Sequence, residues 1–598
     1  MADPATGPEH GRWPREPPAD AGALLDSGTM TAAVAERSGP ERSAEPGRNR
    51  DMSIESSSVS QARPNSVLVL SVLAAGQFLM TLDSSVMNVS MATVAEDVGT
   101  TITGIQTAIT LYTLVMASLM LTGGKVGTIL GRRRAFGVGL VIYGVGSATT
   151  GLAPNLPTLL LGWSLLEGIG AALIMPAIVS LVAANFAPER RPAAYGLVAA
   201  AGAMAVAVGP LLGGAVTTYA SWRYVFFGEV VIVVLILLVL RRVEDAPAEQ
   251  VRLDLVGSLL SVAGLGMVVF GVLRSSTWGW VLAKPGGPAV LGLSPVIWLL
   301  IAGLLVLYSF LRWQTHLVDT GREPLVDPGL LRNRQLTGGL SMFFAQFTVQ
   351  AGVFFAVPLF LSVVLELSAL GTGVRILPLS VALVVAATAI PKFRPHANPR
   401  RVVRLGLASM IAGILILVAG LDPGANAGVV SIPMLLMGLG LGALASQLGA
   451  ITVSSVPDAQ SGAVGGLQNT VTNLGASLGT ALIGSVLIAT LTSSVVTGIE
   501  TDPAIPASVQ QRATTELADG VPFLSNTQLR DALAAAGVEE ATANAVVAVN
   551  AEARLEALRV ALAVTALLAI APLFATGRLP RRTVAGPSRD DAGATDDS

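Results

Sequence analysis

Long apolar stretches separated by short polar segments dominate the chain between residues 66 and 576. A helix needs roughly 20 apolar residues to cross a bilayer. The pattern predicts about fourteen such helices, near 66–89, 104–123, 135–152, 157–184, 193–218, 222–240, 255–274, 294–312, 336–362, 371–391, 402–420, 429–453, 464–492 and 557–576. A transmembrane barrel would show strict alternation instead. The chain is therefore predicted to be an all-α integral membrane protein.

The composition supports this class and excludes several kinds of site. Of 598 residues, 52% are hydrophobic and 13% charged, whereas soluble domains carry about 25% charge. Without cysteine, the chain has no disulfide, thiol nucleophile or cysteine zinc site. The histidines His10, His316 and His396 lie outside the predicted spans. We expect no metal site and no cofactor. With a net charge of −2 and no basic arm, we expect no nucleic-acid partner.

The distribution of basic residues predicts the orientation, since cytoplasmic loops carry an excess of Lys and Arg. Every second loop is basic, and the intervening loops "EDVGTT", "LAPNLP" and "LDPGANAG" have no Lys or Arg. The basic groups are Lys125 with Arg132–Arg134, Arg190 with Arg191, Arg241 with Arg242, Arg332 with Arg334, Arg400 with Arg401, and Arg581 with Arg582. Both termini are thus predicted to be cytoplasmic.

Three segments lie outside the predicted spans. Residues 1–65 are polar and rich in Pro, Glu, Arg and Ser, which is typical of a disordered tail. Residues 577–598 form the predicted cytoplasmic C-terminal tail. Residues 493–556 form the one long extracytoplasmic loop, and apolar residues recur there at helical spacing. That loop is either a small helical cap or a solvated spacer.

Five stretches resemble signature motifs of the major facilitator superfamily. They are "LDSSVMNVSMATVAEDV" in span 1, "GGKVGTILGRRRA" after span 2, "GWSLLEGIGAALIMPA" in span 4, "VGPLLGG" in span 5 and "SWRYVFF" at span 6. Their order resembles the fourteen-span drug–proton antiporter branch, of the actinobacterial multidrug and antibiotic exporter type. The resemblance covers about Val67 to Leu579.

The resemblance implies a fold of two six-helix bundles plus two central helices. The implied division is an N-terminal bundle at 66–240, the extra helices and linkers at 241–335, and a C-terminal bundle at 336–576. It implies no enzyme activity but secondary transport by alternating access, outward across the bacterial cytoplasmic membrane. The antiporter-type motif is carried by Gly209, Pro210, Gly213 and Gly214, and the cytoplasmic gate loop by Gly124, Gly131, Arg132 and Arg133.

Three positions depart from the family pattern. Thr128 stands where the gate loop usually has an acid, so this gate is expected to close by other means. Ser164 replaces an arginine often given a part in proton transfer, and Glu167 replaces a glutamine. Glu229 replaces an asparagine.

Asp83, Glu167 and Glu229 are acids inside apolar spans. A charged side chain at bilayer depth costs roughly 2.5–3.5 kcal/mol on insertion scales, so we expect one or more of them to bind the coupling proton. Structural roles are the alternatives. Asp83 could hydrogen-bond permanently to Asn88 or to span 4 or 5, and Glu229 could pair with Arg223 at the membrane edge.

Amide side chains in the second half are candidates for lining a substrate cavity. They are Gln346 and Gln350 in span 9, Gln447 in span 12, and Gln468, Asn469 and Asn473 in span 13. Gln346 and Gln350 share a helical face because they are four residues apart. Most of the six are expected to be interhelical hydrogen-bond partners, and one or two to line the cavity.

The expected partners are protons, the lipid bilayer and a lipophilic small molecule. The protein is expected to be a monomer. The sequence features fit dedicated antibiotic export and broad multidrug export equally well. An importer of a small nutrient and a non-transport sensor or scaffold with this fold are the alternatives. A membrane enzyme is disfavoured because the loops offer only isolated histidines, and a primary pump because no Walker-type motif is present.

Overall fold

A computed structural model describes residues 64–186, 190–245, 252–284, 287–394, 397–422, 426–456, 461–507, 509–511, 517 and 521–580. Within these ranges the chain forms fourteen long helices and one short helix, and no β-strand. They are α1 Pro64–Asp97, α2 Ile102–Leu130, α3 Arg132–Gly151, α4 Leu156–Asn185, α5 Arg191–Tyr219, α6 Arg223–Leu240, α7 Leu255–Trp278, α8 Pro295–Asp319, α9 Arg334–Val364, α10 Ala369–Phe393, α11 Pro399–Gly420, α12 Ser431–Val453, α13 Ser461–Thr501, α14 Asn526–Ala535 and α15 Glu540–Ala575. The predicted tail 1–65, apart from its last two residues, and the C-terminal tail beyond residue 580 lie outside the described residues.

Each predicted span falls on one of the long helices, so the all-α prediction is confirmed. Thirteen of these helices are long and apolar enough to cross a membrane. The remaining one is α3, which opens with three arginines and ends in a stretch rich in Ser, Thr and Gly. Three helices are much longer than predicted, since α1 has 34 residues, α13 has 41 and α15 has 36.

The helices pack in an order that repeats along the chain. In the first six helices, α1 packs on α5, and α3 packs on α4 and α6. In the last six long helices, α9 packs on α13, and α11 packs on α12 and α15. The most extensive contacts between the two sets are those of α2 with α13 and of α5 with α10. We call the sets α1–α6 and α9–α13 with α15 the N-terminal and C-terminal bundles. The predicted bound at 240/241 coincides with the end of α6, whereas those at 66 and at 335/336 fall within the first turn of α1 and of α9. The division into 66–240, 241–335 and 336–576 stays a prediction.

The connection between α13 and α15 is shorter than the predicted loop 493–556, because both helices extend into it. Helix α13 continues to Thr501 and α15 already begins at Glu540. The helical pattern divides at Gly537, whose φ is +69°. Its first part forms α14, which begins with a capping box between Ser525 and Gln528. Its second part is the first half of the long helix α15, because the apolar face at 546–558 is buried in the C-terminal bundle.

The hairpin of α7 and α8 packs on α2 and α13. One buried amide links this hairpin to the segment that leads into α9. Asp254 accepts hydrogen bonds from Trp313 Nε1 at 2.9 Å and Gln314 Nε2 at 2.8 Å. The other amide atom, Gln314 Oε1, accepts from the backbone N–H groups of Leu325 and Val326 at 2.6 and 3.2 Å. Gln314 therefore satisfies three polar groups at once.

We predict that Gln314→Leu destabilises the protein, because it leaves two backbone N–H groups without an acceptor. Such a loss costs about 1–3 kcal/mol. The measurement is the thermal unfolding midpoint of the purified protein in detergent. Thr315→Val is the matched control, since Thr315 is exposed and its hydroxyl donates only within α8, to Leu311 O. Equal midpoints for the two variants would contradict the prediction.

Candidate functional site

Three carboxylates from three helices meet inside the N-terminal bundle. Asp83 lies on α1, Glu167 on α4 and Glu229 on α6, and all three are buried. One oxygen of each lies within 4.8 Å of the others. The three acids predicted from the apolar spans are thus neighbours in space, although they are 84 and 62 residues apart in sequence. We call these three residues the acid cluster.

Neutral donors surround the acid cluster. The indole Nε1 of Trp163 donates to both oxygens of Asp83, at 2.7 and 2.8 Å. Glu229 Oε2 accepts from Ser147 Oγ at 2.9 Å and from Tyr143 OH at 3.2 Å. Thr150 Oγ1 lies 3.1 Å from Glu167 Oε1. Among the described residues no Lys, Arg or His forms an ion pair with the cluster.

A π-helical stretch in α4, Leu160–Glu167, carries both Glu167 and the indole donor Trp163. Trp163 and Glu167 are four residues apart, and π-turns inside α-helices are frequent at functional sites. The Trp163 ring stacks on Tyr112 of α2, with ring centroids 5.1 Å apart and planes at 10°. Ser164, where the family pattern has an arginine, donates to Ala108 O at 2.9 Å. No charge replaces the missing arginine there, and Ser164 instead joins α4 to α2.

Several polar atoms at the acid cluster have no hydrogen-bond partner. Glu167 Oε2, Glu229 Oε1 and Tyr112 OH are buried and unpaired. A buried carboxylate oxygen without a donor is costly if the group is ionised. The same oxygen can donate when it carries a proton. The arrangement therefore has room for protons on the two glutamates.

The acid cluster also has the donor spacing of a cation site, although the composition predicted no metal site. Three carboxylate oxygens are ligands that hard cations accept. The indole N–H of Trp163, however, donates to both oxygens of Asp83. It thus occupies the position at which a metal ion would lie if Asp83 held it with both oxygens.

The membrane-edge pairing of Glu229 with Arg223 is not found. Arg223 Nη1 lies 3.3 Å from Asp97 Oδ2 and its Nη2 donates to Ala153 O at 2.7 Å. Glu229 instead points to Ser147 and Tyr143 inside the bundle. That alternative was wrong because six residues place Arg223 and Glu229 on different faces of α6. For Asp83, the predicted alternative of a hydrogen bond to span 4 is present, through Trp163.

The gate loop joins α2 to α3 and to the segment after α6. Gly131 has φ +90°, which favours glycine, and Arg132 Nη1 donates to Gly124 O at 2.9 Å. The backbone N–H of Arg133 donates to Asp245 Oδ1 at 2.8 Å, and its Nη1 donates to Val243 O at 3.0 Å. Thus Asp245, an acid outside the motif, contacts the loop in which Thr128 replaces the usual acid.

A second charge contact ties the gate loop to the linker before α9. Lys125 Nζ lies 2.7 Å from Glu323 Oε2. Thr128 itself only donates to Gly124 O, at 3.2 Å within α2. The charge contacts near the gate loop therefore involve acids from the two linkers that flank α7 and α8.

The antiporter-type motif places α5 between α1 and α10. A Cβ on Gly213 would lie 2.8 Å from Val86 of α1, and one on Gly214 would lie 2.5 Å from Ala369 O of α10. Gly209 packs on Ser85, and the carbonyl of Pro210 packs on Gly373 of α10. The motif thus brings the helix of Asp83 and the C-terminal bundle against the same helix.

The six amide candidates do not all have the same surroundings. Gln468 accepts from Thr452 Oγ1 at 3.0 Å, Asn473 donates to Asn469 O at 2.9 Å, and Gln447 donates to Ser446 Oγ at 3.2 Å. Gln346 is buried and its Oε1 has no partner. Gln350, half-buried, lies one turn further along α9. Of these six, Gln346 is the one with a buried, unpaired amide oxygen.

Several residues of this region were not identified from the sequence. They are Trp163, Tyr112, Tyr143, Ser147 and Thr150 around the acids, and Gln106, which is buried between the bundles and donates to Thr480 O and Ala481 O at 3.3 and 3.2 Å. The spacing of Trp163 and Glu167 was a usable signal, because polar groups four apart share a helical face. For Tyr143 and Ser147 of α3, which contact Glu229 of α6, no spacing within one helix indicated the contact.

The sequence and the fold match known transporters. Residues 73–480 match the family model described as Major Facilitator Superfamily. The puromycin resistance protein of Streptomyces alboniger is 31% identical over 72% of this chain and 84% of its own length. The cephamycin export protein of Amycolatopsis lactamdurans is 31% identical over 70% and 83%. The multidrug efflux pump LfrA of Mycolicibacterium smegmatis is 27% identical over 78% and 90%.

Two solved structures support the fold at low sequence identity. The inward-facing, unoccupied bacterial homolog of the human lysosomal transporter Spinster is 14% identical, with a TM-score of 0.52 over 87% of this chain and 98% of that one. The POT family transporter PepTSo is 12% identical, with a TM-score of 0.51 over 85% of this chain and 98% of that one. The chain is a multi-pass membrane protein that belongs to the Major Facilitator Superfamily.

Proposed function

We propose that this protein is a proton-coupled exporter of lipophilic small molecules that works by alternating access. The observation that carries the proposal is the acid cluster, three buried carboxylates with neutral donors around them. The protein would reside as a monomer in a bacterial cytoplasmic membrane with both termini cytoplasmic, as the basic loops predict. The named relatives are a puromycin resistance protein, a cephamycin export protein and a multidrug efflux pump, and they support the outward direction and the class of substrate.

The acid cluster suits proton binding for an electrostatic reason. Two like charges a few ångströms apart cannot both ionise readily in an apolar interior. Three carboxylates within 4.8 Å and without a basic partner therefore hold protons. The Trp163 N–H stabilises one ionised group, Asp83, because both of its oxygens accept that donor. Asp83 is accordingly the group that would release and rebind the coupling proton, with Glu167 and Glu229 as the proton-holding neighbours.

The antiporter-type motif offers a route from the proton to the bundle motion. Asp83 and Ser85 lie on α1, whose close contact with Gly209 and Gly213 ties it to α5. Helix α5 contacts α10 through Gly214 and Gly373, and Thr218 Oγ1 accepts from Leu370 N at 3.0 Å. A change of charge at Asp83 that moves α1 would thus reach the interface between the bundles. Rocking of two bundles about a central site is how such repeat folds alternate access.

The substrate would bind between the bundles, on the C-terminal side of the acid cluster. Gln346 of α9 is the best-supported contact, because its buried amide oxygen is unpaired. Gln350, Gln447, Gln468, Asn469 and Asn473 are further candidates. A mostly apolar cavity with a few amides suits a lipophilic organic molecule.

We predict that Asp83→Asn abolishes coupled transport. Asparagine keeps the size of the side chain and cannot exchange a proton. In energised everted vesicles with an interior pH dye, addition of lipophilic drugs should cause proton efflux with the wild type and none with the variant. Asp97→Asn is the matched control, since Asp97 is on the same helix and pairs with Arg223 outside the cluster.

Two outcomes would contradict this prediction. Unchanged efflux with Asp83→Asn would make Asp83 structural and move the proton to Glu167 or Glu229. Loss of efflux with Asp97→Asn as well would indicate a folding defect on α1 rather than a loss of coupling.

We predict that Trp163→Phe weakens coupling without abolishing substrate binding. Phenylalanine keeps an aromatic ring against Tyr112 but removes the second ring of the indole together with the N–H that stabilises ionised Asp83. A hydrogen bond to a charged group contributes about 1.5–3 kcal/mol, so drug-driven proton release should fall about tenfold or more. Equilibrium binding of a fluorescent drug should stay near the wild-type value. If proton release is unaffected, the indole N–H has no part in coupling.

We predict that Gly373→Ala separates α5 from α10 and blocks transport. The added Cβ would overlap the carbonyl of Pro210, and backbone atoms cannot rotate away. Because the chain has no native cysteine, disulfide formation in a Thr218→Cys, Leu370→Cys pair reports this contact. Its cross-linking yield should drop with Gly373→Ala. Gly371→Ala is the control, since a Cβ there meets only ordinary contacts of 3.4 Å or more, and its yield should not change.

A further inference from the structure

A groove on the outer surface of the N-terminal bundle lies between α3 and α6, away from the acid cluster. Its volume is about 820 Å³. Its long apolar part is formed by Val138, Val141, Ile142 and Leu237. Val138 and Val141 are 45% and 51% exposed. In a membrane protein, such outward apolar positions face acyl chains.

One end of the groove is strongly basic. Arg133 and Arg134 at the start of α3 and Arg241 after the end of α6 line it there. Arg134 and Arg241 are exposed, and neither forms an ion pair within the part of the chain that the structure describes. Arg133 is partly engaged, because Asp245 Oδ2 lies 4.0 Å from its Nε and Val243 O accepts from its Nη1. The end of the groove thus presents at least two guanidinium groups that form no ion pair with any acid among the described residues.

From this geometry we propose that the groove binds one anionic phospholipid, such as phosphatidylglycerol. The phosphate would lie between Arg134 and Arg241, and an acyl chain would lie along Val138, Val141 and Leu237. Arginine binds phosphate oxygens in a bidentate manner, and basic pockets at the cytoplasmic side of membrane helices bind anionic head groups. The charge of the groove disfavours a zwitterionic lipid, whose ammonium group would meet the same arginines.

The two parts of the groove together identify a lipid rather than a free phosphate. An inorganic phosphate would use the arginines but would leave the apolar stripe exposed. A neutral lipid would use the stripe and leave the arginines without a counter-charge. Only a molecule with an anionic head and an apolar chain satisfies both, because the groove carries charge at one end and apolar side chains along its length.

The lipid would act on the gate loop. Arg133 and Arg134 lie in the first turn of α3, Arg241 follows α6, and Asp245 holds the backbone of Arg133 to the segment after α6. A phosphate that bridges Arg134 and Arg241 adds a second link between the same two segments. Bound lipid therefore stabilises this arrangement of the gate loop. The proposal rests on the groove and not on the proton-coupled mechanism.

The test is native mass spectrometry of the full chain purified in detergent, titrated with phosphatidylglycerol or phosphatidylcholine. The variants are the double substitution Arg134→Gln with Arg241→Gln and the control Arg242→Gln. Arg242 is the matched control because it is exposed, neighbours Arg241 and does not line the groove. A surface arginine contributes to anionic lipid binding by about fivefold in affinity. The double variant should therefore bind phosphatidylglycerol at least about tenfold more weakly, with Arg242→Gln and phosphatidylcholine binding unchanged.

A further variant separates the lipid from a free anion. Val141→Trp fills the apolar stripe and keeps every arginine, so it should weaken phosphatidylglycerol binding. Unchanged lipid binding by Val141→Trp, together with displacement of the lipid by inorganic phosphate, would identify a simple anion site and overturn the proposal. Equal losses in the double variant and in Arg242→Gln would also overturn it, since they would reflect net charge alone.

Discussion

The burial of three carboxylates, none of which has a basic partner in the described part of the chain, is the constraint on which the N-terminal bundle depends. Isolated ionised carboxylates are not tolerated in an apolar interior, so each group must be protonated or supplied with donors. The bundle supplies donors from two helices. Helix α4 presents the Trp163 N–H to Asp83, and α3 presents hydroxyls to Glu229 and Glu167. The π-helical stretch of α4 carries both Trp163 and Glu167. The local backbone geometry of α4 therefore positions both an acid of the cluster and the donor that stabilises another acid.

The same helix that carries Asp83 also packs on the helix that joins the bundles. Small residues of α5 allow this, because Gly209 and Gly213 leave room for α1 while Gly214 leaves room for α10. Without water, close backbone packing is a main source of helix association in membranes. A single helix with small residues on two faces can thus contact both bundles. In the proposed mechanism, this geometry connects a change of protonation on α1 with opening and closing between the bundles.

The gate loop is held by other interactions than the buried acid cluster. Its contacts are made by surface charges and backbone groups, with Asp245 and Glu323 contributing acids from the linkers around α7 and α8. Exposed ion pairs of this kind contribute little individually. The proposed lipid contact rests on a further feature beside the gate loop, a cluster of arginines at one end of an apolar groove. The two proposals thus place proton binding in the interior of the N-terminal bundle and lipid binding at its periphery.

The sequence alone determined the fold class and the identity of the candidate acids. Apolar runs long enough to span a bilayer have few alternatives to a helix, and Asp83, Glu167 and Glu229 are conspicuous in such runs. Only the tertiary structure decided that these acids form one cluster, that Glu229 binds Ser147 rather than Arg223, and that Trp163 covers Asp83. The rotation of each helix about its axis depends on packing with its neighbours, and no residue pattern within a single span records those neighbours.

The tertiary structure also decided the length of the connection before α15. Its amphipathic pattern is the same for a surface cap and for a helix that extends a membrane span, and burial against the C-terminal bundle decides between them.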